Sequence, residues 1–196
     1  MEINELRAKF KKIFGREGAA VFFAPGRANL IGEHTDYNGG HVFPCALTFG
    51  TYLAASKRQD GKINFYSLNF EDDGIISADI NDIKKGGNWA DYPKGVVAMF
   101  KEDGHILNCG FDALYYGDVP NGAGLSSSAS IEVVTAAMIN DFYNLGYNLI
   151  ELAKISQRAE NGFVGMNCGI MDQFASAMGK KDNAMLLDCN TLEYSY

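Results

Sequence analysis

Glycine and serine residues stand together in the middle of the chain, in the run Gly122-Ala123-Gly124-Leu125-Ser126-Ser127-Ser128. Glycines let a backbone approach a ligand closely, and a helix that follows them offers unpaired N–H groups and the positive end of its dipole. The serine hydroxyls can bind phosphate or a metal ion. The run therefore predicts a phosphate-binding loop, with a glycine turn followed by serine helix caps as the alternative interpretation.

Two common phosphate loops do not fit this run. A Walker A loop requires a lysine, and residues 119–130 contain none. A dinucleotide-binding loop requires a third glycine at the position of Ser127. Without a lysine, phosphate charge must be offset by backbone amides, the helix dipole and a metal ion, which indicates a nucleotide bound together with magnesium.

A second unusual segment, residues 26–37, places Arg27, Glu33, His34 and Asp36 among small and apolar residues. Carboxylates accept hydrogen bonds from hydroxyl groups, so such a cluster beside an aromatic residue favours sugar binding. A surface loop whose arginine forms a weak ion pair is the alternative. His34 on its own is more typical of a structural hydrogen bond than of catalysis.

Two further acids have unusual surroundings. Asp172 stands alone among apolar and small residues at the start of a predicted helix. It is either an acid stabilised by the helix dipole or a partly buried carboxylate that engages a hydroxyl. Glu160 precedes Asn161-Gly162, where a helix is predicted to end. Because an acid gains nothing from the dipole at that end, Glu160 favours a cation as its partner.

These residues must be positioned by a mixture of strands and helices. Apolar residues at Ile3, Leu6, Phe10 and Ile13 predict a first helix. Strands are predicted at 21–24, 41–47, 51–56, 62–70, 111–119 and 185–187, with further helices at 89–101, 127–143, 148–160 and 171–178. The strands and helices do not alternate regularly, which predicts an α+β fold of two layers, with helices packed on one face of a mixed β-sheet.

Composition excludes several classes of protein. The chain has 196 residues, 47% of them hydrophobic, and 17 basic against 24 acidic residues leave a net charge of −7. This charge argues against general binding of nucleic acid or of an anionic membrane. The four cysteines are widely spaced and lack a histidine cluster, so they indicate reduced thiols in the cytoplasm rather than a zinc site.

Taken together, the motifs resemble the galactokinases, which belong to a superfamily with the homoserine, mevalonate and phosphomevalonate kinases. Residues 26–37, GRANLIGEHTDY, are similar at every position to the segment specific to galactokinases. Residues 119–130, VPNGAGLSSSAS, resemble the phosphate-binding motif of the superfamily. Residues 159–165 and 168–174 resemble the catalytic segment of the galactokinases. The resemblance extends over the whole chain and implies a single domain, 1–196, with the fold of the superfamily's N-terminal domain.

The resemblance implies an ATP-dependent phosphorylation of the C1 hydroxyl of galactose. It assigns Asp172 as the catalytic carboxylate, with Arg27 beside it to stabilise the transition state. The implied sugar-binding residues are Glu33, His34, Thr35 and Asp36.

The same resemblance implies a site for magnesium and ATP. Ser128 and Glu160 are expected to hold Mg²⁺, and Ser67 and Trp89 to lie near the nucleotide. The expected phosphate contacts are Gly122, Ala123, Gly124, Leu125, Ser126, Ser127 and Ser128. A core position in its own helix is the alternative for Trp89.

Galactokinases are considerably longer than this chain and carry a C-terminal domain with a further glycine-rich motif. The resemblance therefore implies that the chain is the N-terminal domain of such a protein and that it has little activity without the missing domain. Two other readings stay open: an N-acetylgalactosamine kinase, and a non-catalytic sensor of galactose and ATP that acts in transcriptional regulation.

Overall fold

The computed structural model describes residues 1–118 and 126–196. Its strands are β1 (Ala20–Asn29), β2 (His41–Val42), β3 (Pro44–Lys57), β4 (Lys62–Ser67), β5 (Ile76–Asp79), β6 (Phe111–Gly117), β7 (Leu186–Asp188) and β8 (Tyr194–Ser195). Its α-helices are α1 (Ile3–Phe14), α2 (Asp91–Glu102), α3 (Ser127–Tyr143), α4 (Leu149–Arg158) and α5 (Met171–Met178). A π-helix, Ala159–Val164, continues directly from α4, and two short 3₁₀ turns lie at Asp36–Asn38 and Glu71–Asp73.

The described strands form a mixed main sheet in the order β1-β3-β6-β4-β5. Strands β4 and β6 are parallel, and the other neighbouring pairs of this sheet are antiparallel. A smaller antiparallel sheet joins β2, β7 and β8. The mixed sheet confirms the predicted α+β class, whereas β5 and β8 have no counterpart in the sequence prediction.

Neighbouring side chains of each strand point to opposite faces of the main sheet. On β3, Leu53 and Ala55 pack into the largest core with residues of α2, α3 and α4, while Ala54 packs with Leu6 and Phe10 of α1. The helices that follow β5 therefore cover one face, as the sequence predicts. Helix α1 covers part of the opposite face.

Two predicted breaks in the strands are wrong. Strand β1 continues through Pro25-Gly26 with a shift of register between Pro25 and Arg27, and β3 runs without interruption past Gly50. A Cβ atom on Gly50 would lie 2.1 Å from the carbonyl oxygen of Ala24. This glycine therefore allows the bulged part of β1 to approach β3 closely. The sequence pattern alone predicts a break between two strands at this glycine.

The start of α4 confirms the predicted capping box. The backbone N–H of Glu151 donates to the Asn148 side chain at 3.0 Å, and the Glu151 carboxylate accepts from the backbone of Asn148 at 2.7 Å. The predicted helix of residues 148–160 does not end as a simple α-helix, because it widens into the π-helix at Ala159. A π-helix of this kind inside a helical segment is frequent at functional sites.

The described part of the chain contains no helix that is long and apolar enough to span a membrane. All four cysteines are free thiols.

Replacing Phe10 with alanine tests the packing of α1 on the second face of the sheet. Phe10 is fully buried, so Phe10→Ala should lower the free energy of unfolding by about 3–5 kcal/mol. Ile3 lies on the same helix and is 50% exposed, so the control Ile3→Ala should change it by less than about 0.5 kcal/mol. Urea unfolding of the intact protein measures both values, and equal effects would contradict this packing.

Candidate active site

An arginine–carboxylate pair forms the centre of the site. Arg27 lies on β1 just after the register shift, and Asp172 lies in the first turn of α5. The guanidinium donates from Nε to Asp172 Oδ1 at 2.8 Å and from Nη2 to Oδ2 at 3.0 Å. Both side chains keep some exposure, 14% for Arg27 and 26% for Asp172. A bidentate salt bridge of this kind fixes the orientation of both side chains, and the carboxylate stays accessible.

Ser126 is the third member of this group. It stands at the N-cap position of α3 with a φ of 58°, in the left-handed region that a serine rarely adopts. Its hydroxyl donates to Asp172 Oδ2 at 2.5 Å. Strained backbone of this kind is concentrated at functional sites. The structure thus brings Ser126, which the sequence assigns to ATP phosphates, onto the candidate catalytic carboxylate.

Asp36 sets the start of α5. Its carboxylate accepts from the backbone N–H of Ile170 at 2.9 Å and of Met171 at 3.2 Å. A carboxylate at this end of a helix satisfies unpaired donors and interacts favourably with the helix dipole. Burial raises the pKa of Asp36, and its hydrogen bonds to the Met171 and Ile170 backbone oppose this rise. Asp36 therefore positions the turn that carries Asp172.

Gly169 makes room for this contact. A Cβ atom on Gly169 would lie 2.1 Å from the carboxyl carbon of Asp36. No side chain fits there unless Asp36 moves.

The other predicted sugar-binding residues lie in the loop between β1 and β2. Glu33 and His34 are exposed, and the Glu33 carboxylate accepts from Asn29 at 3.2 Å. His34 Nδ1 lies 2.6 Å from the Tyr37 hydroxyl. The Thr35 hydroxyl is within hydrogen-bonding distance of the carbonyl oxygens of Gly32 and His41, at 2.7 and 2.8 Å. The structure thus uses Thr35 to close the loop, while Glu33 and His34 face solvent.

Four of the predicted ATP-binding residues line one pocket of about 180 Å³, namely Ser67, Trp89, Ser127 and Ser128. Aromatic side chains that the sequence analysis missed, Phe70, Tyr92 and Tyr115, complete its wall. Gly122, Ala123, Gly124 and Leu125 lie outside the described residues.

Trp89 stands just before α2, as part of the wall of this pocket. Its ring stacks on Phe70 at 6.3 Å between centroids and meets Tyr115 edge-on at 5.7 Å. Its indole Nε1 is buried and has no hydrogen-bond partner among the described residues. A buried donor without a partner is costly, so a ligand that accepts from it would be favoured.

Asp91, at the start of α2, anchors the loop that carries Trp89. This buried carboxylate accepts from the backbone N–H groups of Gly86 and Gly87, each at 2.7 Å. Lys94 approaches it at 3.4 Å and is buried as well. These contacts hold the chain immediately before the aromatic wall.

Glu160 lies in the π-helix and is 7% exposed. Gln173 donates to Glu160 Oε2 at 2.6 Å and to Oε2 of the fully buried Glu132 at 3.2 Å. Burial and then the neighbouring charge of Glu160 raise the pKa of Glu132 well above its ordinary value. The charges of Glu160 and Glu132 also raise the pKa of Tyr92, a residue of the pocket wall, after the larger effect of its burial.

Sequence reasoning missed Glu132 and Gln173. A signal was present for Glu132, since it is a single acid in the apolar part of α3, one helical turn after Ser128. Gln173 carries no such signal, because a glutamine is ordinary at a helix surface. Only packing against Glu132 and Glu160 gives it a role.

A larger cavity of about 530 Å³ borders Asp36 and Gly169. Lys154, Gln157 and Cys189 line it as well, but Arg27 and Asp172 do not. The described centre of the site therefore lies outside it.

Substituting Gly169 tests the role of Asp36 at the start of α5. Gly169→Ala should force the Asp36 carboxylate away from the Ile170 and Met171 amides and lower the free energy of unfolding by about 1–3 kcal/mol. Gly162 has open space at its Cβ position, so Gly162→Ala is the matched control and should not destabilise the protein. Chemical denaturation of both variants checks this, and equal stability would contradict the proposed contact.

The buried Glu132 predicts a pH-dependent stability. A carboxyl whose pKa is raised on folding keeps its proton in the folded state, so its contribution to stability is complete below the unfolded pKa and is lost as pH rises toward the folded value. A glutamine cannot ionise, so Glu132→Gln removes this loss of stability at high pH. The variant should have a higher unfolding temperature than the parent at about pH 8, with a smaller difference at about pH 5. A difference that does not depend on pH would contradict this.

Comparisons with known proteins place this geometry in a family. Residues 8–57 match the model of the galactokinase galactose-binding signature, and residues 91–180 match the model of the GHMP kinases N-terminal domain. The first match contains Arg27 and Asp36, and the second contains Glu160 and Asp172.

Relatives and solved structures agree with these matches. Galactokinase from Clostridium acetobutylicum is 59% identical over 99% of this chain and 50% of its own length, and that from Bacillus subtilis is 54% identical over 98% and 50%. The structure of Lactococcus lactis galactokinase complexed with galactose superposes with a TM-score of 0.95 at 44% identity, over 98% of this chain and 50% of that one. The fold alone is shared with Methanococcus jannaschii mevalonate kinase, at a TM-score of 0.76, 19% identity, and coverage of 92% and 56%.

The chain thus spans about half the length of the curated relatives it matches. Galactokinases match the sequence over nearly its full extent, and a galactokinase structure shares its fold. Two family models match the segments that contain the site residues. The chain therefore belongs to the galactokinase family of the GHMP kinases.

Proposed function

We propose that the intact protein containing this chain transfers a phosphoryl group from ATP to the C1 hydroxyl of galactose. The observation that carries this proposal is the Arg27–Asp172 pair, which joins the segment matching the galactose-binding signature to the first turn of α5. Relatives that match nearly the whole chain are galactokinases, and one solved relative is complexed with galactose.

Asp172 is the group proposed to face the sugar hydroxyl. Arg27 and Ser126 together hold both of its oxygens, so the carboxylate is oriented before substrate binds and little ordering is left to the reaction itself. It can accept the hydroxyl proton as the phosphoryl group is transferred. Phosphoryl transfer spreads negative charge in its transition state, and the fixed Arg27 charge would stabilise that charge.

Sugar recognition is proposed for the loop between β1 and β2 and for the start of α5. The exposed Glu33 and His34 can exchange hydrogen bonds with sugar hydroxyls. The Asp36 carboxylate already accepts hydrogen bonds from the α5 backbone. It would bind a sugar hydroxyl through the remaining acceptor capacity of its two oxygens. Thr35 supports the loop.

The nucleotide is proposed to occupy the aromatic pocket that Ser67 and Trp89 line. A flat base gains stacking energy on aromatic walls, and the Trp89 indole N–H, which has no partner among the described residues, supplies a donor. Ser127 and Ser128 also line this pocket, which would bring ATP phosphates to the start of α3. Gly122 to Leu125 are proposed to complete the phosphate contacts.

Magnesium is proposed to bind with the ATP phosphates, through Ser128 and Glu160. The described residues fit this ion: Glu160 is a buried carboxylate with no lysine or arginine ion pair in the described part of the chain, and both donors are oxygens. The same residues contain no group of three or more histidine, cysteine or acidic side chains that could hold a metal alone. When bound, Mg²⁺ supplies charge neutralisation for the phosphates, and it commonly uses few protein ligands beside them.

We further propose that catalysis needs a second, C-terminal part of the intact protein, because the curated relatives are about twice as long as this chain. Arg27 and Asp172 are partly exposed, and they would be covered by that part. A cytoplasmic location is proposed on the four free thiols.

Asp172→Asn tests the catalytic assignment in the intact protein. The asparagine keeps an oxygen for Arg27 but cannot take up a proton, so turnover should fall by about 10²–10⁴-fold while galactose binding stays largely in place. Asp182 is exposed beyond the end of α5, and the control Asp182→Asn should retain parental turnover. Sugar-dependent ADP release and calorimetric galactose binding measure the two effects. Turnover of Asp172→Asn near the parental rate would contradict the role of Asp172.

The sugar itself is tested by ADP release from the intact parent protein with galactose, glucose and N-acetylgalactosamine. Release with galactose alone supports the proposed function. Preference for N-acetylgalactosamine would replace it with that kinase activity, and binding of galactose and ATP without release would indicate a sensor.

A further inference from the structure

A single amide joins two buried acids beneath the site. Gln173 follows Asp172 in α5 and is fully buried. Its side-chain nitrogen carries two protons, and it donates to Glu160 Oε2 at 2.6 Å and to Glu132 Oε2 at 3.2 Å. Both donors are therefore used, and the bridge connects α3, the π-helix and α5.

The orientation of this amide follows from its partners. If the amide were turned around, its oxygen would face Glu160 Oε2, and two acceptor oxygens repel each other. In the described orientation Gln173 Oε1 is buried without a partner among the described residues, and so is Glu132 Oε1. Unpaired buried oxygens cost free energy. The two hydrogen bonds that Gln173 donates are therefore kept although these two oxygens have no partner among the described residues.

The chemistry of an amide explains why glutamine suits this position. A lysine or arginine here would form an ion pair with Glu160 and compete with a metal ion for its charge. An amide satisfies one oxygen of Glu160 and leaves the charge of the carboxylate available. Cys168 adds a second, weaker contact, with its Sγ 3.5 Å from the same Oε2 atom.

Glu160 needs such support because of its length and its location. A glutamate side chain has three rotatable bonds, and ordering it costs conformational entropy. Its backbone lies in the π-helix, a rare conformation that occurs mostly as a single turn within an α-helix. The bridge from α5 fixes the carboxylate in one orientation before a ligand arrives.

We propose that Gln173 is a positioning residue for the cation that accompanies the nucleotide: it orders the Glu160 carboxylate without cancelling its charge. This inference rests on the proposed function, because the cation is the one bound with ATP. Groups that orient a metal ligand in this way commonly change metal affinity by about 10–100-fold when they are lost. Loss of Gln173 should therefore weaken cation binding much more than galactose binding.

Gln173→Met in the intact protein provides the test, because methionine has a similar volume and no donor. Mn²⁺ binding is measured by electron paramagnetic resonance with a non-hydrolysable ATP analogue, and the Mg²⁺ concentration for half-maximal turnover is measured separately. The dissociation constant for Mn²⁺ and the Mg²⁺ concentration for half-maximal turnover should both rise by about 10–100-fold in the variant. Galactose affinity, and turnover at saturating Mg²⁺, should change by less than about threefold.

Ser156→Ala is the matched control for loss of a buried polar group. Ser156 is fully buried in α4 and donates to the carbonyl of Leu152 in its own helix, so this variant should keep the parental cation affinity. Gln173→Asn is a second variant in case methionine prevents folding. Its shorter amide cannot reach both acids, and it should shift cation affinity in the same direction.

Three outcomes decide the inference. A shift in Mn²⁺ affinity for the Gln173 variants but not for Ser156→Ala supports it. Unchanged Mn²⁺ affinity in a folded Gln173 variant, or lower turnover at saturating Mg²⁺ as the only effect, overturns the role of Gln173 and leaves the proposed function intact. A parent protein that neither phosphorylates galactose nor binds Mn²⁺ with the nucleotide overturns both.

Discussion

The first turn of α5 is the constraint on which the rest of the site depends. Asp36 caps this turn from the loop after β1, Arg27 binds its Asp172 from β1 itself, and Gln173 reaches from it to Glu160. One short helix end thus fixes the distances between the proposed sugar, phosphoryl and cation contacts. Preorganisation of this kind lowers the ordering that the reaction itself requires.

The fold holds several acids close together at this point. Burial raises the pKa values of Asp36 and Glu132, the charge of Asp172 adds to both, and the charge of Glu160 adds to that of Glu132. Among the described ion pairs of these acids, Arg27 is the cation, and it contacts Asp172. Buried acids beside a phosphate site favour a cation next to the phosphates, and the proposed Mg²⁺ would supply that positive charge. The net charge of −7 is therefore compatible with a phosphate ligand.

Much of the fold could be predicted where local pattern and tertiary structure agree. Helix α1 and the capping box of α4 appear at the predicted residues because periodicity and side-chain caps act within a few residues. The course of β1 through Pro25-Gly26 could not be predicted, since its bulge depends on close contact with Gly50 of another strand. The position of α1 on the second face depends equally on partners far along the chain.

The sequence by itself determined the kinds of chemistry present: an arginine with acids in one loop, a lone aspartate at a helix start, and a glycine-serine run that lacks a lysine. Only the tertiary structure decided which of them meet, because Arg27 and Asp172 are separated by 145 positions in the sequence. It also brought Ser126 onto Asp172 and placed Gln173 against Glu132 and Glu160, a contact that its residue type does not suggest. Residue types fix what a side chain can donate, accept or carry, whereas packing decides which groups lose water together and therefore interact strongly.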